Sequence, residues 1–124
     1  MHTDKIILIA EPDDVLLSEL EGFLSREDFS TVRVNTLENT LLTIQNQRVD
    51  VLVLDAALLG EDVGFISIIK GMEENLPVII CAEVNTPEFE SKVRHQRIFF
   101  YHIKSFGTQD LEMAISNAIN KSSN

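Results

Sequence analysis

Residues 50–55 read Asp50-Val51-Leu52-Val53-Leu54-Asp55, four consecutive apolar residues that end on a carboxylate. A strand covered on one face only alternates apolar and polar residues, whereas this run is continuously apolar. The pattern is therefore typical of a strand buried on both faces, as in a parallel sheet between two layers of helices. It predicts a central strand with Asp55 at its carboxyl end.

Four other short apolar runs predict four more strands, at residues 5–10, 31–34, 77–82 and 98–103. Stretches in which apolar residues have helical spacing alternate with these strands. Such alternation predicts an open α/β sheet, in which right-handed crossovers place helices on both faces. Because ligands of these sheets bind beyond the carboxyl ends of the strands, we expect the functional residues there.

Apolar residues repeat at intervals of three and four in the predicted helices, which indicates the buried face of each helix. These faces are Leu16, Leu20, Phe23 and Leu24; Leu37, Leu41 and Ile44; Phe65, Ile68, Ile69 and Met72; and, in the last helix, Leu111, Ala114, Ile115, Ala118 and Ile119. The fourth predicted helix begins at Thr86-Pro87-Glu88 and has only Phe89 and Val93 on its apolar side. We expect this helix to be loosely held and to offer a face to a partner.

The composition excludes several classes of function. The 124 residues are enough for one domain, which we expect to span 1–124 and to be ordered over about 4–120. A net charge of −10 opposes nucleic-acid binding, which needs a basic patch. The chain has neither a membrane-spanning apolar run, which takes about 20 residues, nor a signal peptide, so we expect a cytoplasmic location. Cys81, inside an apolar run, is expected to be a buried, inert thiol.

Charged residues follow four of the five predicted strands: Glu11, Asp13 and Asp14 after the first, Asp55 after the third, Glu83 after the fourth and Lys104 after the fifth. Carboxylates gathered at one edge repel one another unless a cation lies among them, and their oxygens suit Mg²⁺. A carboxylate beside such a metal can attack a phosphoryl group, and a lysine can pair with the new charge. Taken singly, each of these residues is more typical of a helix cap, a turn or a solvated charge, and Asp13 is the expected N-cap of the first helix. Their combination favours one common site.

In these features the chain resembles the receiver domain of bacterial response regulators, over about residues 5–120. The segment 50–55 is similar to the phospho-acceptor strand of that family, and Gly60 falls where the family has a loop glycine. Tyr101-His102-Ile103-Lys104-Ser105-Phe106 resembles the family motif aromatic-x-x-Lys-Pro-Phe, and Pro77-Val78-Ile79-Ile80 opens the fourth strand in the family manner. The resemblance implies a flavodoxin-like (βα)5 three-layer sandwich, with a five-stranded parallel sheet in the order 2-1-3-4-5.

The resemblance also implies a role for individual residues. Asp55 would accept the phosphoryl group, Lys104 would contact that group, and Tyr101 would be the aromatic residue whose rotamer reports activation. Mg²⁺ would be the cofactor, with Glu11, Asp13, Asp55 and the backbone carbonyl of Ala57 as its ligands.

Several positions depart from the family pattern. Pro12 falls on the second acidic position, which normally supplies a direct metal ligand; Asp13 is the nearest substitute. Ala82 falls on the position of the switch hydroxyl, Ser105 replaces the proline after the lysine, and Leu59 replaces the proline before the loop glycine. These changes predict a weakened metal site and a weakened coupling between phosphorylation and the aromatic switch.

Two related functions follow from the resemblance. In the first, the chain is a non-enzymatic receiver module that takes a phosphoryl group on Asp55 from a histidine kinase or phosphotransfer protein. Phosphorylation would then change the face formed by helix 4, strand 5 and helix 5. This face would bind a downstream protein or output domain, or a second copy in a homodimer. In the second, Pro12 and Ala82 indicate a pseudo-receiver that binds partners without phosphorylation. A third hypothesis, a small flavodoxin-like enzyme or cofactor binder, lacks a supporting phosphate-binding loop.

Overall fold

The computed structural model of the chain describes residues 4–83 and 86–122. Its five strands are β1 (Ile6–Ala10), β2 (Ser30–Val34), β3 (Val51–Asp55), β4 (Val78–Ala82) and β5 (Phe100–Ile103). All neighbouring strands are parallel, and the strand order is β2-β1-β3-β4-β5. The predicted fold and strand order are therefore confirmed, and Asp55 ends the central strand.

Helices connect the strands: α1 (Val15–Arg26), α2 (Leu37–Asn46), α3 (Ala56–Leu59), α4 (Gly64–Met72), α5 (Pro87–Arg94) and α6 (Gln109–Ser122), with a 3₁₀ helix at Lys104–Phe106. The short helix α3 and the 3₁₀ helix, which directly follow β3 and β5, were not predicted from the sequence. The helix predicted as the fourth is therefore α5, and the helix predicted as the fifth is α6.

The core consists of two apolar layers, one on each face of the sheet. Val51 and Val53 of β3 pack in the layer beneath α1 and α6. Leu52 and Leu54 pack in the opposite layer, which also contains buried residues of α2, α4 and α5. Because successive side chains of a strand point to opposite faces, burial of both faces requires the continuous apolar run seen in the sequence.

Three details of the predicted elements are wrong. Ile68 is 54% exposed, and Ile66 is buried in its place. Four apolar residues within positions 65–69 fit two helix faces equally well, so only packing could decide between them. The fifth strand begins at Phe100 rather than at residue 98, because the chain turns at Arg97, whose φ is 60°. Asp14 rather than Asp13 directly precedes α1.

Helix α5 has a narrow contact with the core. Val93 is fully buried, Phe89 is partly buried against the same layer, and most of the remaining helix surface is exposed. Across residues 4–83 and 86–122, every helix is too short or too polar to cross a membrane.

Candidate functional site

Asp55 and Lys104 meet at the carboxyl edge of the sheet. Asp55 is the last residue of β3, and Lys104 directly follows β5, two strands away. Lys104 Nζ donates a hydrogen bond of 2.6 Å to Asp55 Oδ2, and the two side chains are 15% and 2% exposed. Burial alone would lower the pKa of Lys104, but the hydrogen bond and the negative charge of Asp55 outweigh burial and raise it. The pair is thus a charge-assisted contact in a largely dry environment.

The second oxygen of Asp55 also has a donor. The backbone N–H of Ala57 donates to Oδ1 at 2.9 Å, which makes Asp55 the N-cap of α3. The sequence predicted the carbonyl of Ala57 as a metal ligand; the structure gives the N–H of this residue a role in orienting Asp55. Both oxygens of the carboxylate are therefore held by groups of the protein.

Glu11 lies next to Asp55 along the sheet but faces a different element. Ala10 and Leu54 are partners in the β1–β3 register, so the residues that follow them are neighbours. The Glu11 carboxylate is fully buried, and its two oxygens accept hydrogen bonds from the N–H groups of Leu16 at 2.8 Å and Leu17 at 2.9 Å. Glu11 therefore binds the free N–H groups at the start of α1.

Burial raises the pKa of the Glu11 carboxyl. The N–H groups of Leu17 and Leu16 oppose this effect, and the neighbouring carboxyl of Asp13 adds to it. The Asp13 carboxylate itself accepts a hydrogen bond from the N–H of Val15 at 3.1 Å. The carboxylates of Glu11 and Asp13 thus both accept hydrogen bonds from N–H groups at the start of α1, and their role as metal ligands stays a prediction.

Arg33 fixes the acidic loop between β1 and α1. Its Nη2 donates to the carbonyls of Glu11 at 3.2 Å and Asp13 at 2.6 Å. Its Nε lies 2.7 Å from Asp14 Oδ1, in ion-pair contact although not aligned for a hydrogen bond. The sequence does not by itself assign Arg33 a role; the available signal was a single cation between the two valines of a short strand. A guanidinium therefore supplies positive charge to this loop.

The described residues do not form a cluster of three metal-binding side chains. Within residues 4–83 and 86–122, no group of three or more His, Cys, Asp or Glu side chains is placed to hold a metal ion. Glu11 is bonded to α1, Pro12 has no side-chain oxygen, and Asp55 is bonded to Lys104 and Ala57. Protein donors thus already bind the carboxylate oxygens that a metal would share, so these residues offer the ion that the resemblance implies a weaker site than open carboxylates would.

A cleft of about 310 Å³ opens beside Asp55, between α3 and the start of α5. Its lining includes Asp55, Ala57, Gly60, Ala82, Glu83, Thr86 and Phe89. Ala82, at the predicted switch position, presents only a methyl group to this space. The carboxylate of Glu83 lies 3.7 Å from Lys104 Nζ but is 80% exposed, so it contributes a weak, solvated charge.

Tyr101, the predicted aromatic switch residue, is turned into the core. Its ring is 6% exposed and packs against the ring of Phe89, with a centroid separation of 6.4 Å, and beneath the guanidinium of Arg94 at 5.7 Å. Its hydroxyl is buried and has no hydrogen-bond partner among the residues described. The structure therefore places Asp55 and Ala82 at one cleft, with Lys104 bound to Asp55, while Glu11 and Tyr101 face other elements.

Comparison with known proteins places these features in a family. The family model of the response regulator receiver domain matches residues 7–116, which is most of the chain. None of the curated protein sequences matches this chain significantly.

Solved structures with the same fold include receiver domains from several organisms. The signal receiver domain of an HD domain-containing protein from Pseudomonas fluorescens Pf-5 has a TM-score of 0.85 at 19% identity, and covers 98% of each chain. A CheY-like receiver domain protein from Methanospirillum hungatei JF-1 has a TM-score of 0.85 at 18% identity, again with 98% of each chain covered. A receiver domain protein from Clostridium thermocellum has a TM-score of 0.81 at 21% identity, with 96% of this chain and 97% of that chain covered. The strand order, the Asp55–Lys104 contact and the family match lead to one conclusion: the chain belongs to the response regulator receiver domain family.

Proposed function

We propose that this receiver domain serves two-component signal transduction by accepting a phosphoryl group on Asp55 from a histidine kinase or phosphotransfer protein. The observation that carries the proposal is the contact of 2.6 Å between Lys104 Nζ and Asp55 Oδ2, beside a cleft that reaches the same carboxylate. A carboxylate is a nucleophile toward phosphorus, and a neighbouring ammonium stabilises the negative charge that the product carries.

The proposed transfer begins with movement of Lys104 away from Asp55. An oxygen of Asp55 then attacks the phosphorus of a phosphohistidine, the P–N bond breaks, and the histidine nitrogen leaves with its electron pair. The product is an aspartyl phosphate, whose oxygens accept the hydrogen bonds of Lys104. Because the described residues provide no metal cluster, we expect the transfer to be slow; each loss of about 1.36 kcal/mol of transition-state stabilisation costs a factor of ten in rate.

A second candidate function is a pseudo-receiver that binds partners without phosphorylation. The observation that favours it is the pairing of both Glu11 oxygens with the N–H groups of Leu16 and Leu17, together with Pro12 at the second acidic position. In this case the Asp55–Lys104 contact is a structural element that keeps the carboxyl edge of the sheet in one conformation.

Both functions use the same surface and the same kind of partner. We propose that the face formed by α5, β5 and α6 contacts a downstream protein or output domain, with a second copy of the chain as one form of that contact. Helix α5 contacts the core mainly through Val93 and Phe89, so little buried surface opposes a shift of this helix when a partner binds. We further propose that the domain acts in the cytoplasm as a signalling module rather than as an enzyme.

A phosphodonor assay tests the first function against the second. The chain is incubated with a small acyl phosphate, with and without millimolar Mg²⁺, and its intact mass is measured over time. Phosphorylation on Asp55 predicts a gain of one phosphoryl group that is lost in Asp55→Asn and kept in Glu61→Gln, an exposed carboxylate of the following loop. An unchanged mass under conditions that modify another receiver domain would contradict the first function and support the second.

A further inference from the structure

A second cleft, of about 400 Å³, lies at the opposite edge of the sheet from Asp55. It is bordered by the end of α4, by the residues that precede β4 and β5, and by the end of α6. Its charged lining consists of Lys70, Arg97, Lys121 and Glu74, and its apolar lining includes Ile98 and Phe99. The cleft therefore combines a group of cations with apolar surface, at a distance from the Asp55 site.

The charge of this cleft is opposite to the charge of the whole protein. Three of the ten Lys and Arg side chains line it, against a single carboxylate, although the chain carries a net charge of −10. Lys70 is close enough to the other two cations to be affected by their charges: burial lowers the pKa of Lys70, and the charges of Arg97 and Lys121 lower it further, against the opposing effect of Glu74. Like charges held together in this way favour an anionic ligand.

Donor groups in the cleft remain available for such a ligand. Lys70 Nζ donates one hydrogen bond, to the carbonyl of Leu76 at 2.9 Å, and an ammonium group has three N–H donors. The ammonium of Lys121 lies 5.7 Å from the centroid of the Phe99 ring. In the part of the chain that the structure describes, no carboxylate is within ion-pair distance of Lys70, Arg97 or Lys121.

Helix dipoles explain only part of this arrangement. Lys70 and Lys121 each lie in the last turn of a helix, where a cation is favourable in any protein. Arg97 lies outside the helices and adopts a φ of 60°, a left-handed conformation that disfavours a residue with a Cβ atom. A strained residue persists where its surroundings fix it, and here the strain brings a third cation to the cleft.

We propose that this cleft binds a small anion with at least two negative charges, of the pyrophosphate or phosphate-ester class. Three cations and one carboxylate leave an excess of two positive charges, which matches a dianion. Guanidinium and ammonium groups are the usual donors to phosphate oxygens. The apolar surface of Ile98 and Phe99 suits the organic part of a phosphate ester. The site is independent of the phosphorylation proposed for Asp55.

Titration of the whole 124-residue chain with inorganic pyrophosphate at constant ionic strength, followed by amide NMR, tests the site. We expect saturable shifts at residues 70–76, 97–99 and 121, with a dissociation constant between micromolar and low millimolar. Tighter binding of adenosine diphosphate than of pyrophosphate would assign the site to organic phosphate esters, and equal binding would assign it to the phosphate groups alone. Shifts that do not saturate, or that spread over the whole surface, would overturn the proposal.

Three variants make the test specific. Arg97→Gly removes a cation and also relieves the left-handed backbone, so this variant is expected to fold at least as well as the natural chain. Lys121→Gln removes a second cation, and Lys92→Gln makes the same change on the exposed surface of α5. We expect the first two each to weaken pyrophosphate binding about tenfold and the third to change it less than about twofold. Equal effects of all three would mean that only net charge matters, and the proposed site would be rejected.

Discussion

The ammonium of Lys104 lies 2.6 Å from Asp55 Oδ2, although the two residues are separated by 49 positions in the chain and by β4 in the sheet. Loss of this cationic contact from a nearly buried carboxylate destabilises the fold, because the desolvation of the carboxylate is no longer compensated. Lys104→Met should therefore lower the free energy of unfolding by about 2–3 kcal/mol, below the roughly 3–5 kcal/mol of a fully buried pair, since Lys104 is 15% exposed. Urea denaturation measures this change.

A double-mutant cycle provides the control for that change. Asp55→Asn combined with Lys104→Met removes both charges, and we expect it to recover at least half of the lost stability. If Lys104→Met alone alters stability by less than about 0.5 kcal/mol, the contact has no structural role.

The same contact predicts a dependence of stability on alkaline pH. The folded pKa of Lys104 is raised above its ordinary value of 10.5, so folding favours the protonated form. The resulting stabilisation is fully present below pH 10.5 and is lost as the pH rises through the folded pKa. We expect the stability difference between the natural chain and Lys104→Met to be constant from pH 7 to 10 and to shrink above this range. A difference that grows above pH 10.5 would have the wrong sign.

Glu11→Gln should weaken the start of α1. Both carboxylate oxygens accept backbone N–H groups, and an amide replaces one acceptor by an NH₂ group that faces a donor. We expect a loss of about 1–2 kcal/mol in the free energy of unfolding, measured by chemical denaturation. Glu19→Gln, the same change at an exposed position of α1, is the matched control and should be close to neutral. Equal effects of the two variants would contradict the capping role of Glu11.

Pro12→Asp should increase the affinity for Mg²⁺. The change restores an acidic side chain at the position where the family normally has a metal ligand. A hard, multiply hydrated cation gains from each added carboxylate oxygen, so we expect the dissociation constant to fall by about tenfold. Calorimetric titration with Mg²⁺ measures this change. Pro87→Asp, which adds the same charge at the first position of α5, serves as the control; a similar gain there would indicate a general charge effect.

Much of the fold could be predicted because it follows from local patterns. The run at 51–54 is apolar at every position, and only a strand covered on both faces needs this pattern. Alternation of strands and helices then restricts the topology to a few arrangements. The choice between Ile66 and Ile68 could not be made in this way, because both fit a helical repeat with Phe65 and Ile69 and packing alone decides.

The contacts that each side chain of the site makes were harder to predict than the position of the residue in the fold. Glu11 does lie at the edge of the sheet that the sequence indicates, but its carboxylate binds N–H groups of α1. A carboxylate that precedes a helix can either accept hydrogen bonds from the N–H groups of that helix or bind a metal ion. The sequence Glu11-Pro12-Asp13-Asp14 does not specify which of its acids has which role. The role of Arg33 depends on a contact between β2 and a loop 20 residues away in the chain, which no local pattern encodes.

Cys81 is fully buried in β4, and burial raises the pKa of its thiol far above the ordinary value. At neutral pH this sulfur should stay protonated and unreactive toward maleimides for as long as the protein is folded. A cysteine introduced on the exposed surface of α5, for example Ser91→Cys, would then be the single labelling site without any need to remove the natural thiol. A chain that contains no tryptophan would in this way gain a spectroscopic reporter on a helix that has only a narrow contact with the core.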